Sequence, residues 1–194
     1  MEDNLQHSKT LLRKKTLAEL KNLPPDKHRA DSGRLRTKLK EQSFFLRAGS
    51  ILFFAPMPNE VDVWPLLEEA RVAGKTAALP QFDSHSQSYV ACRVRNLEKE
   101  IVTGQFGIRE PSPSCPEIPP RDLDLVLVPG VAFDLRGHRL GRGQGFYDRL
   151  LANVRGLKCG VAFDEQIVNA VPAETRDVRM DFIVTPARLV KVTG

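Results

Sequence analysis

The sequence predicts an α/β protein with a mostly parallel central sheet and helices on both faces. Apolar runs without polar alternation, at 50–55, 122–128 and 157–163, are typical of strands buried on both sides. Helix-forming stretches separate these runs, which favours parallel strands joined by helices. The 194 residues are 41% hydrophobic, and we predict a single domain over 1–194.

The first predicted helix covers residues 8–22, with Ser8 as its N-cap. Its apolar periodicity is poor, so it is not simply half-buried. Lys9 and Arg13 are four residues apart and therefore lie on one face of the helix. From spacing alone, that face is interpreted as solvated and basic.

A proline pair separates this helix from a second one, predicted to run to about residue 48 with Leu35, Leu39 and Leu46 on its buried face. The remaining predictions are a helix over 63–73 capped by Asp62, strands over 76–79 and 89–94, a helix over 146–154, a helical turn over 164–171 and a last strand over 181–185.

The most informative stretch is 128–151, where a strand, a glycine-rich loop and a helix follow one another. Gly141, Gly143 and Gly145 alternate with polar residues. Glycine permits positive φ and close approach of the backbone, so the loop amides and the helix N-terminus can face an anion. Arg139 and Arg142, with Arg136, add guanidinium groups suited to phosphate oxygens.

The spacing of these glycines matches neither a Walker A loop nor a GxGxxG dinucleotide fingerprint. The pattern therefore predicts a phosphate site of another kind, and a surface loop with solvated arginines is the alternative. Glu60 follows the strand at 50–55, and ligands of open α/β sheets bind beyond the carboxyl ends of strands. We expect Glu60 and the glycine loop to share one cleft.

Two carboxylates could hold a metal ion in that cleft. Asp148 lies in the first turn of the predicted helix, where it could complement the helix dipole or bind Mg²⁺ beside a phosphate. Asp177 lies in the loop before the final predicted strand. These residues predict a Mg–nucleotide site without identifying the phosphoryl acceptor.

The net charge of +5 and the isoelectric point of about 9.3 favour anionic partners. Basic residues before Phe44 have no aromatic residues among them, which argues against a nucleic-acid surface. The three cysteines show no metal spacing, and we expect reduced thiols. No apolar run is long enough to span a bilayer and the N-terminus is polar, so a cytoplasmic location is expected.

The run PGVAFDLRGHRLGRGQGFYDRLL resembles the signature of the 5-formyltetrahydrofolate cyclo-ligase family, whose central motif is similar to PGxxFDxxGxRLGxGxGYYD. Nearly the whole chain takes part in the resemblance, through Lys9-x3-Arg13, the MPNE segment ending at Glu60, the FGIREP segment and VPAETRDVRMD. It implies a three-layer α/β/α fold of the NagB–RpiA–CoA-transferase-like kind. It also implies a monomer that acts on reduced folate and ATP with Mg²⁺, with neither nucleic acid nor a membrane as partner.

The resemblance also assigns roles to individual residues. The implied ATP-binding residues are Lys9, Arg13, Arg139, Leu140, Gly141, Arg142, Gly143, Gln144, Gly145, Phe146 and Tyr147. The implied folate-binding residues are Ala55, Met57, Glu60 and Phe106, together with Arg142, Gly143, Gln144, Gly145 and Phe146. Arg139, Arg142 and Tyr147 are implied to be catalytic, and Asp148 and Asp177 to bind Mg²⁺.

The sequence departs from the family pattern at two loop positions. Phe146 stands where many members have Tyr, and Gln144 where Gly or Lys is frequent. The implied reaction is ATP-dependent phosphorylation of the formyl oxygen of 5-formyltetrahydrofolate, followed by ring closure through N10 to 5,10-methenyltetrahydrofolate. Two alternatives remain: a non-catalytic paralogue that binds folate or nucleotide, and an RNA-binding protein.

Overall fold

The computed structural model describes residues 2–104, 107–174 and 177–193. Its helices are α1 (Glu2–Lys21), α2 (Pro25–Lys40), α3 (Ser43–Arg47), α4 (Trp64–Val72) and α5 (Phe146–Leu151). Its strands are β1 (Ser50–Leu52), β2 (Thr76–Asp83), β3 (Ser88–Arg93), β4 (Ile101–Thr103), β5 (Arg109–Pro111), β6 (Glu117–Ile118), β7 (Leu125–Val128), β8 (Ala132–Asp134), β9 (Arg139–Leu140), β10 (Leu157–Val161), β11 (Ile167–Val168), β12 (Phe182–Val184) and β13 (Leu189–Lys191). Short 3₁₀ turns cover Pro120–Asp122 and Asp164–Gln166.

Within the described ranges, the large sheet has the strand order β13-β12-β10-β7-β1-β2-β3-β6. The strands β12, β10, β7, β1 and β2 are parallel, and antiparallel strands extend the sheet at both edges. Leu125 and Leu127 of β7 belong to one buried cluster, and Val126 and Val128 belong to another. Successive side chains of a strand point to opposite faces, so β7 is covered on both sides.

Different elements cover the two faces of the sheet. Residues of α2, α3 and α4 fill one cluster, which Leu20 at the end of α1 joins. The other cluster contains Leu150 and Leu151 of α5 and Phe133 of β8. This arrangement confirms the predicted three-layer α/β/α architecture with a mostly parallel sheet.

Two predictions for the first helices are wrong. Helix α1 begins at Glu2, so Ser8 is not an N-cap; its hydroxyl donates a 2.9 Å hydrogen bond to the carbonyl of Asn4 inside the helix. The predicted second helix is divided into α2 and α3. Because α3 starts a new helix after that break, Leu46 does not share the buried face of Leu35 and is 61% exposed.

Several strand boundaries also differ from prediction. Strand β1 ends at Leu52, although Phe53 still donates a 2.9 Å backbone hydrogen bond to Ala78. Strand β2 continues to Asp83 and forms a hairpin with β3, where the sequence indicated a polar connection. Strand β13 follows the strand that was predicted to be last. Its residues are exposed or only partly buried, so it lacks the fully buried run of the inner strands.

The topology brings two loops to one edge of the sheet. Strands β1 and β7 are parallel neighbours, so the chain leaves both at the same edge. The loop after β1 contains Glu60, and the segment after β7 contains the glycine loop. None of the helices in the described ranges is long and apolar enough to cross a membrane. Cys92, Cys115 and Cys159 are buried and free.

Candidate active site

A cleft of about 880 Å³ lies beyond these strand ends. It is bordered by α1, the loop after β1, the glycine loop, α5 and residues of β3 and β5. The predicted site residues that line it are Lys9, Arg13, Ala55, Met57, Glu60, Arg139, Leu140, Gly141, Arg142, Gly143, Gln144, Gly145, Phe146, Tyr147, Asp148 and Asp177. Phe106 lies outside the described residues.

The glycine loop adopts the conformation for which glycine was inferred. Gly143 has φ +102° and Gly145 has φ +66°, values that side-chain-bearing residues rarely adopt. The Nε of Arg13 donates a 2.8 Å hydrogen bond to the carbonyl of Gly141, which ties α1 to the loop. Helix α5 ends at Leu151, earlier than the predicted 154. Such a short helix contributes little dipole, so the positive potential here comes mainly from basic side chains.

Lys9 is buried at the cleft wall, with 8% of its surface exposed. Its Nζ lies 3.1 Å from Oε1 of Glu174 and 3.2 Å from Oδ2 of Asp177. The same Asp177 oxygen accepts a 2.8 Å hydrogen bond from the backbone amide of Glu174. The basic face of α1 is therefore an ion-paired part of the cleft and not a solvated surface. Sequence reasoning missed Glu174, although it lies within the VPAETRDVRMD segment.

Arg139 connects the loop to α5. Its guanidinium is 2.7 Å from Oδ1 of Asp148 and lies 5.7 Å from the centre of the Tyr147 ring. Its side chain is only 4% exposed, and its Nε is a buried donor without a partner in the described ranges. Burial, followed by the negative charge of Glu60, raises the pKa of the Tyr147 hydroxyl well above its usual value. Tyr147 is therefore neutral at physiological pH and can donate a proton in a hydrogen bond.

Arg142 joins the two loops across the cleft. Its guanidinium lies 2.9 Å from Oε1 of Glu60 and 3.3 Å from Oδ1 of Asn59. The other oxygen of Glu60 accepts a 3.0 Å hydrogen bond from the amide of Met57. Both carboxylate oxygens of Glu60 are thus engaged, and Arg142 holds its end of the glycine loop against the loop after β1.

Aromatic side chains from the β2–β3 hairpin support the glycine loop. The Phe146 ring packs 5.2 Å from Phe82 and 5.4 Å from Tyr89, and Tyr89 packs 5.7 Å from Tyr147. Tyr89 was predicted as the first residue of a strand over 89–94, but sequence reasoning missed its place beside the glycine loop. The period-2 pattern of that segment was a signal for a strand, but nothing in the sequence indicates which loop it contacts.

A second missed residue is Glu110, which lines the cleft from β5 and is 5% exposed. Burial raises the pKa of its carboxyl. Its position within FGIREP was a signal that it belongs to the site, because that segment is part of the resemblance to the family.

We call Lys9, Arg13, Arg139, Asp148 and Asp177 the charged half of the cleft. We call Ala55, Met57, Tyr89, Ile108 and Glu110 the aromatic half. Arg142 and Glu60 lie between them.

The model of the 5-formyltetrahydrofolate cyclo-ligase family matches residues 5–186 of the sequence. The chain belongs to the 5-formyltetrahydrofolate cyclo-ligase family. It is 31% identical over 171 residues to the 5-formyltetrahydrofolate cyclo-ligase of Escherichia coli K12, covering 86% of this chain and 94% of the relative.

Solved structures agree with this family membership. The NMR structure of Aquifex aeolicus 5,10-methenyltetrahydrofolate synthetase superposes with a TM-score of 0.87 at 35% identity, covering 96% of this chain and 93% of the other. The 5,10-methenyltetrahydrofolate synthetase of Mycoplasma pneumoniae has a TM-score of 0.74 at 22% identity, covering 92% and 98%, and supports the fold.

The two departures from the cyclo-ligase family pattern differ in their surroundings. Phe146 packs within the aromatic cluster, and the guanidinium of Arg149 lies 5.2 Å from the centre of its ring. Gln144 is exposed, and its carbonyl accepts a 3.3 Å hydrogen bond from Arg149. Neither change removes a loop glycine or a predicted metal ligand.

The carboxylates fit a Mg²⁺ ion that takes its other ligands from phosphate and water. Asp148 and Asp177 both line the cleft, and Mg²⁺ is commonly held by one or two carboxylates plus substrate oxygens. Across residues 2–104, 107–174 and 177–193, no group of three or more His, Cys, Asp or Glu could hold a metal ion.

Proposed function

We propose that the protein converts 5-formyltetrahydrofolate to 5,10-methenyltetrahydrofolate, with ATP as co-substrate and Mg²⁺ as cofactor, and with release of ADP and phosphate. The observation that carries this proposal is one cleft that is lined both by the residues of the charged half and by those of the aromatic half. Membership of the cyclo-ligase family supports the same reaction.

The charged half suits a triphosphate. Lys9, Arg13 and Arg139 converge there with the glycine amides, and Arg142 lies at the junction with the aromatic half. We assign ATP to Lys9, Arg13 and the loop from Arg139 to Tyr147. We assign the folate to Ala55, Met57, Glu60, Phe106 and loop residues 142–146.

The chemistry requires activation of a poor leaving group. The formyl oxygen attacks the γ-phosphorus of ATP, the bond to the β-phosphate oxygen breaks, and ADP leaves. N10 then attacks the formyl carbon, the carbon–oxygen bond to phosphate breaks, and N10 loses its proton. The protein contributes positioning and charge stabilisation, as in other phosphoryl transfers. Arg139 and Arg142 neutralise charge developing on the transferred group, and Tyr147 donates a hydrogen bond.

Asp148 and Asp177 are the residues proposed to hold Mg²⁺. When bound, the ion supplies positive charge to the triphosphate. Arg139 pairs with Asp148 and Lys9 pairs with Asp177 in the ligand-free chain. When MgATP binds, the carboxylates of Asp148 and Asp177 would pair with the metal, and Arg139 and Lys9 would pair with phosphate oxygens. Each of these four charged groups would then still face an opposite charge.

Absorbance of methenyltetrahydrofolate tests the proposal directly. The protein is mixed with 5-formyltetrahydrofolate and MgATP, and product is followed beside ADP and phosphate, with one of each expected per turnover. ATP binding without product would favour the non-catalytic paralogue. RNA binding that falls steeply with salt, without folate turnover, would favour an RNA-binding protein. The single domain, the monomeric state and the cytoplasmic location stay predictions.

A further inference from the structure

Glu110 lines the cleft and carries a buried carboxylate oxygen without a hydrogen-bond partner in the described ranges. Its Oε2 accepts a 3.2 Å hydrogen bond from the amide of Phe82. Its Oε1 is buried and has no hydrogen-bond partner among the described residues. A buried carboxylate oxygen without a donor is unfavourable. A ligand that donates a hydrogen bond at Oε1 would remove that deficit.

The fold holds this carboxylate in place. Strand β5 pairs with β4, with Glu110 opposite Val102, and Gln81 of β2 donates a 2.7 Å hydrogen bond to the carbonyl of Pro111. A Cβ at Gly104 would lie only 2.6 Å from Oε1, so a larger residue there would displace the carboxyl group. The free oxygen is therefore part of an ordered arrangement.

The contrast with Glu60 identifies which carboxylate is open. Glu60 uses one oxygen for Arg142 and the other for the amide of Met57. Both Glu60 and Glu110 lie near Tyr89: burial first, then the charge of Glu110 and that of Glu60, raises the pKa of its hydroxyl. The two carboxylates thus serve the same half of the cleft, but within the described ranges Glu110 is the one with an oxygen still available.

The position of Glu110 indicates which ring donates to it. Ile108 and Tyr89 provide apolar surface beside it, whereas Lys9 and Arg13, which suit phosphates, belong to the other half. A pteridine carries an amino-pyrimidinone edge on which a ring N–H and a 2-amino group stand side by side as donors. A carboxylate accepts such hydrogen bonds well.

Resting on the proposed function, we propose that Glu110 determines specificity for the folate, with Oε1 accepting a hydrogen bond from the 2-amino group of the pteridine. Glu110 thereby shares recognition of the ring with Glu60. Glu110 is not among the residues that we assign to phosphoryl transfer.

The first test compares Glu110→Gln with Glu117→Gln, a matched change at an exposed position of β6. Equilibrium binding of 5-formyltetrahydrofolate is measured without ATP, and kcat and both KM values are measured with MgATP. We expect the Kd and KM for the folate to rise about 10- to 100-fold in Glu110→Gln, the scale of a hydrogen bond to a charged group. The kcat and the KM for ATP should stay within about twofold, and Glu117→Gln should match the wild type.

The second test removes the donor from the ligand. The 2-desamino analogue of 5-formyltetrahydrofolate should bind the wild type more weakly than the natural folate, by a factor close to the effect of Glu110→Gln. The variant should bind both compounds nearly equally, because the interaction is already lost. If the loss of affinity from the variant and the loss from the analogue multiply independently, Glu110 does not contact the 2-amino group. If Glu110→Gln does not fold, the same cycle is run with Glu110→Asp, whose shorter side chain withdraws the oxygen.

The outcomes separate this inference from the proposed function. In one outcome the wild-type protein binds the folate, and Glu110→Gln and the 2-desamino analogue each weaken binding as expected, while no product forms. That outcome overturns the proposed function alone. Normal turnover with unchanged folate affinity in Glu110→Gln overturns the role of Glu110 alone. A loss of ATP affinity in that variant would place adenine at Glu110 and overturn it too. Wild-type protein that binds no folate overturns both.

Discussion

The two halves of the cleft compensate their charges differently. In the charged half, Lys9 pairs with Asp177, and Arg139 pairs with Asp148. In the aromatic half, Glu110 has one oxygen without a partner in the described part of the chain, and burial raises its pKa. Lys9 and Arg139 are thus ion-paired before any ligand binds, whereas the aromatic half keeps an open acceptor.

Each half can therefore discriminate among ligands in its own way. A ligand entering the charged half must exchange existing ion pairs, which favours a polyanion that brings its own metal. A ligand entering the aromatic half satisfies a buried group that has no alternative partner, and such sites strongly reject analogues that lack the donor. Arg142 lies between the halves, so its removal tests both at once.

The largest effect is expected for Arg142→Ala. The change removes the cation that we propose to lie near the transferred phosphoryl group, and it frees Glu60, so turnover should fall by roughly 10²–10³-fold. Steady-state kinetics with both substrates measures it, and Arg155→Ala, at an exposed arginine, is the matched control. Near-normal turnover in Arg142→Ala would remove Arg142 from the mechanism.

Asp148→Asn should act on the charged half alone. Losing one proposed metal ligand should raise the Mg²⁺ concentration for half-maximal activity about tenfold or more, equivalent to about 1.4 kcal/mol. Folate affinity without ATP should be unchanged. The control is Asp122→Asn, at an exposed aspartate. An unaltered metal titration of activity would contradict the assignment of Asp148.

Part of the charged half could be predicted from local sequence, because Arg139 and Asp148 lie beside the loop glycines. Lys9, Arg13 and Asp177 are distant in the chain, and only the resemblance to the family assigned Lys9 and Arg13 to the same site. Gly141, Gly143 and Gly145 alternate over five positions, and the arginines and Asp148 lie within the same stretch. The buried apolar run of β7 likewise signalled the sheet, since strands covered on both faces show no polar alternation.

The aromatic half could not be predicted in the same way. Tyr89 and Glu110 reach the cleft through the β2–β3 hairpin and the β4–β5 pairing, and neither pairing is visible in local composition. The predictions for Ser8 as an N-cap and for Leu46 as a buried residue were wrong for a related reason. A capping residue and an apolar period were judged locally, but the start of α1 and the break before α3 changed the positions of both residues in their helices.

Alanine substitutions at two glycines outside helices and strands distinguish an effect of backbone strain on stability from an effect on ATP binding. Gly143 and Gly74 both have positive φ, +102° and +83°, and a Cβ would meet no atom closer than 3.6 Å at Gly143 and none within 4 Å at Gly74. Alanine at either position should therefore lower the free energy of unfolding by about 1 kcal/mol or more through backbone strain. Urea titration should give similar losses. The KM for ATP should rise only in Gly143→Ala, and equal KM values would show that the loop conformation does not position ATP.

The smallest effect is expected for the stability of Glu110→Gln, which should increase although folate binding weakens. A carboxyl whose folded-state pKa is raised above its unfolded value destabilises the fold as pH rises through the interval between the two values. Burial raises the pKa of Glu110, so Glu110→Gln should raise the free energy of unfolding at neutral pH, by about 1 kcal/mol, because a buried amide is less unfavourable than a buried carboxylate. The gain should vanish below the unfolded pKa of about 4.3, where the native side chain is protonated in both states.

Thermal unfolding at low and neutral pH measures this gain in stability. A variant that is more stable yet binds folate more weakly would show that Glu110 is retained for recognition, whereas a variant that loses stability at both pH values would make it a structural residue.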